Sequence, residues 1–243
     1  MSYRSKSFMK LRLLYIFFLA AVASLLCACN KNASDEVPAT SSAYLDVVNA
    51  TDIVFNVYQN GTRLSNSANI YFPGHSGYFT VLSGPQNFSV KQPLEIYTPQ
   101  LANPDTLFTR TLTLDSTQHY TLFVSNHTAA GTFLTRDTLL TASNKANVRF
   151  VNASATYNGL SIAVNDTLRF TNKNYKSVST YLEITPPVSS QNSTIKVYTA
   201  GSSTPVATST VALRAGGTYT LYTLDTKTTT GASAVGIGQI NNQ

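Results

Sequence analysis

Three histidines, two cysteines and eleven carboxylates are the groups with which this 243-residue chain could do acid–base, nucleophilic or metal chemistry. His75, His119 and His127 show no paired spacing such as His-Glu-x-x-His, which would set two ring nitrogens on one face. A metal site needs several convergent donors, so no metal ligand is expected, and His119, at a strand start, should face outward. Gly74-His75-Ser76-Gly77 places a serine among glycines, but the spacing is not that of a Gly-x-Ser-x-Gly nucleophile elbow. Neither catalytic nor cofactor-binding residues are predicted, and the expectation is a protein that is not an enzyme and carries no cofactor.

The cysteines belong to a different chemistry. Four cations, Arg4, Lys6, Lys10 and Arg12, precede the apolar run Leu13 to Ala23, which ends in Ser24-Leu25-Leu26-Cys27-Ala28-Cys29. A basic stretch followed by a short apolar run reads as a secretory signal. Its ending, Leu26-Cys27-Ala28-Cys29, resembles the bacterial lipobox. There a small residue beside the scissile bond fits the peptidase cleft, and the next cysteine carries a diacylglycerol thioether. Leu26 is too bulky to precede the acylated residue, so Cys29 rather than Cys27 is the expected lipidation site. Two or three acyl chains anchor a protein stably where one does not. The expected partner is therefore a lipid bilayer, reached through acylated Cys29, and the expected location is the bacterial outer membrane. Asn30 is compatible with that destination, and Asp35-Glu36 resembles surface-export signals, so periplasmic and outward-facing placements both stay open. No cysteine follows Cys29, so the folded part holds no disulfide.

With the leader removed, 13 cations face 11 acids, too even a balance for a nucleic-acid footprint, and no nucleic-acid partner is expected. At 12% charged residues the chain is not a charged disordered polymer either. Four triplets, Asp105-Thr106-Leu107, Asp115-Ser116-Thr117, Asp137-Thr138-Leu139 and Asp166-Thr167-Leu168, fit a bacterial periplasmic O-glycosylation pattern. Thr106, Ser116, Thr138 and Thr167 are the corresponding modification candidates.

The elements that position these groups are strands. Lys31 to Ser42 is poor in large apolar side chains and reads as a tether. Beyond it Thr, Ser, Asn, Val and Tyr dominate, and short runs alternate at period two. Ile53, Phe55 and Val57 alternate with Val54, Asn56 and Tyr58, ahead of a hairpin-type Asn60-Gly61. Tyr120, Leu122 and Val124 alternate with Thr121, Phe123 and Ser125, which places the first set inward and the second outward. The chain also repeats itself. Ala43 to Thr51 aligns with Ala146 to Ser154, an offset of 103 residues (43 to 146), and Tyr120-Thr121-Leu122-Phe123 aligns with Tyr219-Thr220-Leu221-Tyr222, an offset of 99 (120 to 219). Two anchors in one order imply two copies of one domain, each with its own core. Asp46 and Arg149 fall at equivalent places with opposite charge, so no carboxylate site is duplicated. Tyr120 and Tyr219 are also equivalent, which favours a core or corner role.

Each copy holds about seven short strands separated by Gly, Pro or Asn, the pattern of a sandwich of two sheets. The fold class is all-β: two tandem antiparallel β-sandwiches, Ig-like or transthyretin-like, after a lipoprotein signal peptide. The divisions are 1–28 for the signal, 29–42 for the tether, 43–142 for the first sandwich and 143–243 for the second. A short link, Thr141 to Lys145, should join them as a stiff rod.

Val148-Arg149-Phe150-Val151-Asn152-Ala153-Ser154 and Gly216-Gly217-Thr218-Tyr219-Thr220-Leu221 resemble the domain-of-unknown-function family 4397. The resemblance implies an Ig- or transthyretin-like sandwich, often in tandem in secreted bacterial proteins and lipoproteins, and implies no activity. The Pro-Asp usual after Asn-Ala-Ser is replaced by Asp52-Ile53 and Ala155-Thr156. The function expected is a non-enzymatic, membrane-anchored envelope lipoprotein with a binding or structural role toward a glycan or protein partner. The alternatives are a glycan-binding lipoprotein of a nutrient-capture system and a fimbrial-type adhesion subunit.

Overall fold

The computed structural model describes residues 41–65, 68–93, 106–140, 144–187, 192–227 and 231–242. The predicted signal, nearly all of the predicted tether and Cys29 lie outside these residues. Among the described residues no helix is long and apolar enough to cross a membrane.

The first copy runs through β1 (Ser42–Asn49), β2 (Asn56–Gln59), β3 (Thr62–Arg63), β4 (Gly74–His75), β5 (Phe79–Leu82), β6 (Gly84–Lys91), β7 (Thr106–Leu114), β8 (His119–Val124) and β9 (Thr132–Asp137). The second runs through β10 (Ala146–Asn152), β11 (Leu160–Val164), β12 (Thr167–Lys173), β13 (Leu182–Ile184), β14 (Asn192–Tyr198), β15 (Ala207–Ala212), β16 (Thr218–Lys227) and β17 (Ser233–Asn241). In each copy the chain alternates between two sheets. The front sheets are β4-β1-β8-β9, with β5 also on β1, and β13-β10-β16-β17. The back sheets are β3-β2-β6-β7 and β12-β11-β14-β15. The expected tandem sandwiches are therefore present, with one departure. β1 pairs parallel with β8, and β10 with β16, so each front sheet is mixed rather than wholly antiparallel. A parallel pair needs a crossover between its strands, and here the back sheet supplies it.

Local chemistry explains the turns. Asn60 (φ 50°) and Gly61 (φ 86°) join β2 to β3, and Asn165 (φ 48°) and Asp166 (φ 63°) join β11 to β12. Two consecutive left-handed residues match the twist of a two-residue hairpin. β12 lies within a stretch with no alternating apolar signal; only Phe170 of its seven residues is buried. The Asn-Ala-Thr/Ser motif at the end of β1 and β10 proves to be a structural rivet. Asn49 donates from Nδ2 to Ile53 O (2.7 Å) and Ile70 O (2.9 Å), while its Oδ1 accepts from Thr51 N and Oγ1. Asn152 repeats the device, donating to Tyr157 O and Lys173 O and accepting from Ser154 N and Thr223 Oγ1. An amide carries two donors and two acceptor lone pairs, so all four positions of each side chain are used.

Each sandwich has its own core, centred on Leu45, Phe88 and Leu122 in one and on Phe150, Ile195 and Leu221 in the other. A third core joins them. Val48, Ala50, Phe123, Val151, Ala153, Tyr222, Leu224 and Ile240 pack together, flanked by Phe72 and Phe133. These residues lie on the faces of the front sheets turned away from the sandwich cores. The two copies are therefore stacked face to face in four layers, which corrects the expected end-to-end rod. Phe123, expected to point outward, is fully buried here. It stacks on its cross-strand neighbour Phe133 (5.0 Å) and meets Tyr222 edge-on (5.7 Å).

Val48 and Val151, Ala50 and Ala153, and Phe123 and Tyr222 are repeat equivalents, so each copy offers the same patch to the other. That is the isologous logic of a two-fold dimer, realised within one chain. Opposite Tyr222 stands Gly238, where an added Cβ would fall 2.1 Å from the tyrosine ring. Removing a buried aromatic from such a core costs about 3–5 kcal/mol. Phe123→Ala should lower the stability of both copies together by about that amount, read as one shifted transition in chemical denaturation. A variant that loses stability in one copy alone would contradict a shared core.

Candidate functional site

The seam between the front sheets has two poles. At the pole where β1, β8, β10 and β16 begin, polar groups are buried. Arg149 Nη2 forms an ion pair with Asp137 Oδ1, both side chains nearly inaccessible. Asp137 also accepts from Tyr78 Oη (2.7 Å), Thr121 Oγ1 (2.6 Å) and Thr135 Oγ1 (3.3 Å). Arg149 donates to Thr220 Oγ1 (2.8 Å) and Arg136 O (2.9 Å), and its guanidinium lies 5.2 Å from the Tyr181 ring centre. Thr220 Oγ1 donates to Asn242 Oδ1 (2.6 Å), and Asn242 Nδ2 donates to Tyr78 Oη (3.1 Å). Strand register makes Asp137 and Asn242 equivalent, and the 103-residue offset does the same for Tyr78 and Tyr181. The two copies thus place one set of positions around the seam and fill it with different charges. Burial, reinforced by Asp137, pushes the Tyr78 hydroxyl well above its usual range, so it stays protonated.

The histidines find partners that sequence spacing did not suggest. His75 Nδ1 lies 2.8 Å from Oδ2 of Asp46, a carboxylate buried in the front sheet. That hydrogen bond, opposed by burial and reinforced by the charge of Asp46, raises the His75 pKa. Ser76 Oγ accepts from Val47 N (2.9 Å) and lies within donating distance of Asp46 Oδ1 (3.1 Å) and Gly77 O (2.7 Å). Ser76 thus bonds to the acid and not to the imidazole, so the three groups form no relay toward a nucleophilic hydroxyl. His119 is half-buried, stacked on Tyr44 (4.4 Å) and edge-on to Tyr78 (5.0 Å) rather than facing freely outward. Tyr120 and Tyr219 take the corner role: Tyr120 Oη accepts from Asp115 N and donates to Asp115 Oδ2, and Tyr219 Oη accepts from Arg214 N.

At the opposite pole, where the four central strands end, the loops leave a cleft of about 770 Å³. Asp52 follows β1, Phe72 lies between β3 and β4, His127 follows β8, Thr156 follows β10, and Asp225 lies near the end of β16. His127 Nε2 meets Asp52 Oδ1 at 2.9 Å. Asp225 accepts from Ser154 Oγ, Ala155 N (2.9 Å) and Thr156 N (3.2 Å), which fixes the loop after Asn152-Ala153-Ser154. No group of three or more His, Cys, Asp or Glu that could hold a metal occurs among the described residues.

Of the modification candidates, Cys29 lies outside the described residues. Thr106 opens β7, Ser116 sits in the β7–β8 turn, Thr138 follows β9 and Thr167 opens β12. All four are exposed, and they stand on four different elements. The cleft was not foreseen, because its residues are scattered over five loops and strand ends. The one available signal was that Asp52 follows Asn-Ala-Thr in one copy where Ala155 follows Asn-Ala-Ser in the other.

Two outcomes are expected. Arg149→Met leaves the Asp137 charge buried without its counter-charge and should cost about 3–5 kcal/mol. The double variant Arg149→Met/Asp137→Asn should recover much of that loss in a denaturation cycle, and strict additivity would refute the coupling. For His75, the folded-state pKa lies above the unfolded value. The pair's contribution is complete below about pH 6.5 and fades as pH rises through the raised value. Melting temperatures of the wild type should show that fall, and those of His75→Gln should lack it.

A search of curated proteins finds no match to the chain. The model of a family described as a domain of unknown function, DUF4397, matches residues 43–163 and again residues 146–238. The first match covers the first sandwich and runs on into β11, overlapping the second match, which covers most of the second sandwich, and the chain belongs to the DUF4397 family, with two tandem copies of its domain.

Proposed function

We propose that this chain is a non-enzymatic lipoprotein of the bacterial outer membrane, anchored through acylated Cys29, whose paired sandwiches serve binding at the cell envelope. The observation that carries the reading is Leu26-Cys27-Ala28-Cys29 at the end of a basic-then-apolar leader. A thioether-linked diacylglycerol, with or without a further acyl chain, holds the protein at a bilayer, since each buried methylene contributes about 0.8 kcal/mol.

The non-enzymatic part draws support from how the reactive groups are used. Asp46, Asp137 and Asp225 each accept several protein donors, and Ser76 is hydrogen-bonded away from His75. Catalysis by acid and base needs groups within reach of a reacting atom and free to exchange protons with it. Here the buried carboxylates hold strands and loops together instead. Binding is favoured over a purely structural role by the cleft, which collects exposed polar groups from both copies.

Cys29→Ser, expressed in a Gram-negative host, should move the protein from the membrane to the soluble fraction. Mass spectrometry of the wild type should find the diacylglyceryl thioether on Cys29 with residues 1–28 removed. A Cys29→Ser protein that still sediments with membranes would replace the lipid anchor with a retained apolar span.

A further inference from the structure

We infer that the cleft between the loop ends of the two front sheets is a saccharide site, taking a neutral oligosaccharide. The inference deepens the binding role proposed above and rests on it.

The size fits, since small-molecule clefts occupy about 300–1,000 Å³ and this one has about 770 Å³. Its lining narrows the chemistry. None of the described lining residues is Lys or Arg, so an anionic ligand would meet two carboxylates and no fixed cation. Those carboxylates are not bare cation traps either. Asp52 is engaged by His127, and Asp225 by three donors of the Ser154–Thr156 loop. The remaining polar residues carry hydroxyls or an amide: Thr51, Ser125, Thr128, Thr156, Thr226 and Ser233, with Asn126, of which Thr51 Oγ1 is held by Asn49 and Thr128 Oγ1 by Asn126. Hydroxyls and amides both donate and accept, which is what a ring bearing several hydroxyl groups presents in return. Phe72 supplies the apolar wall against which the C–H face of a sugar packs.

One further observation points to an occupant. The Asp52–His127 pair stands open, its side chains 59% and 49% exposed. It joins the loop after β1 to the loop after β8, and in a chain with only 12% charged residues it is placed at the cleft. The frame around the cleft is two-fold, but its contents are not. One copy gives Asp52, Phe72 and His127; the other gives Thr156, Asp225 and Ser233. An asymmetric lining on a symmetric frame suits a chain with a direction, such as an oligosaccharide.

The test is titration of the acylated chain, in a detergent without sugar headgroups, against neutral xylo-, manno-, cello- and malto-oligosaccharides and a cationic peptide. At least one oligosaccharide should bind. Asp52→Ala and His127→Ala should each weaken that binding about tenfold or more, and Thr156→Trp, which fills the cleft from an exposed position, should abolish it. Asp166→Ala, on a distant hairpin, should leave it unchanged. Binding of no oligosaccharide, binding indifferent to all three cleft variants, or preference for the cationic peptide would each overturn the site while leaving the lipid anchor standing. Recovery of a shortened oligosaccharide would keep the site and overturn the non-enzymatic reading instead.

Discussion

A front sheet apolar on both faces cannot face water, and that constraint organises this molecule. β10 is buried along its whole length and β1 over its last five residues, as strands are when both faces of a sheet are covered. One face of each front sheet is covered by its own back sheet. The other can only be covered by something equally apolar, and the second copy supplies it. Burial of Val48, Phe123, Val151 and Tyr222 drives the stacking, at roughly 25 cal/mol for each square ångström removed from water. The buried polar groups then fix its register. An apolar seam tolerates sliding, whereas an Arg149–Asp137 pair ringed by Tyr78, Thr121 and Thr220 is satisfied in one arrangement only.

Duplication explains why such a seam could arise. Two copies with the same sticky face form a self-complementary contact without any new surface. Once both copies share one chain, equivalent positions are free to diverge. Asp46 corresponds to Arg149 in the repeat, Asp137 to Asn242, and Tyr78 to Tyr181. The charges that would repel in a strict duplicate are thereby replaced by a pair that attracts. The same freedom operates at the other pole, where Asp52 and His127 have as counterparts Ala155 and Thr226. From the loops there Ala50, Ala153 and Phe72 enter or flank the shared core, whereas Asp52 and His127 do not, so the latter can change without loosening the stack.

Much of the scaffold was legible in the residues. Alternation located β2 and β8, Asn60-Gly61 located a hairpin, and the two offsets exposed the duplication. What misled was the outward set on β8. Period two assigns Phe123 to solvent, but the apolar residues at its equivalents and neighbours, Val48, Val151 and Tyr222, mark a second buried face instead. β12 escaped notice because an edge strand with one inward side chain, Phe170, has no period to detect. Parallel pairing of β1 with β8 is a property of the whole path of the chain and leaves no local trace. The buried ion pair was invisible for a related reason: Asp137 and Arg149 are close in sequence, but only the stacking of the sheets turns them toward one another. The reading of Tyr120 and Tyr219 as corner residues succeeded because a short-range hydrogen bond depends on little beyond the turn itself.

The common direction of the four central strands has a practical corollary. Ser42 starts β1 and Asn242 follows β17 at the same pole, where Tyr44, His119, Tyr78 and Asn242 touch in sequence. Strands of six to ten residues separate that pole from the loop cleft, a distance of about 25 Å for an eight-residue strand. A fluorescent reporter or affinity handle spliced to either margin of the stack would emerge on the side remote from the cleft, leaving its mouth unobstructed.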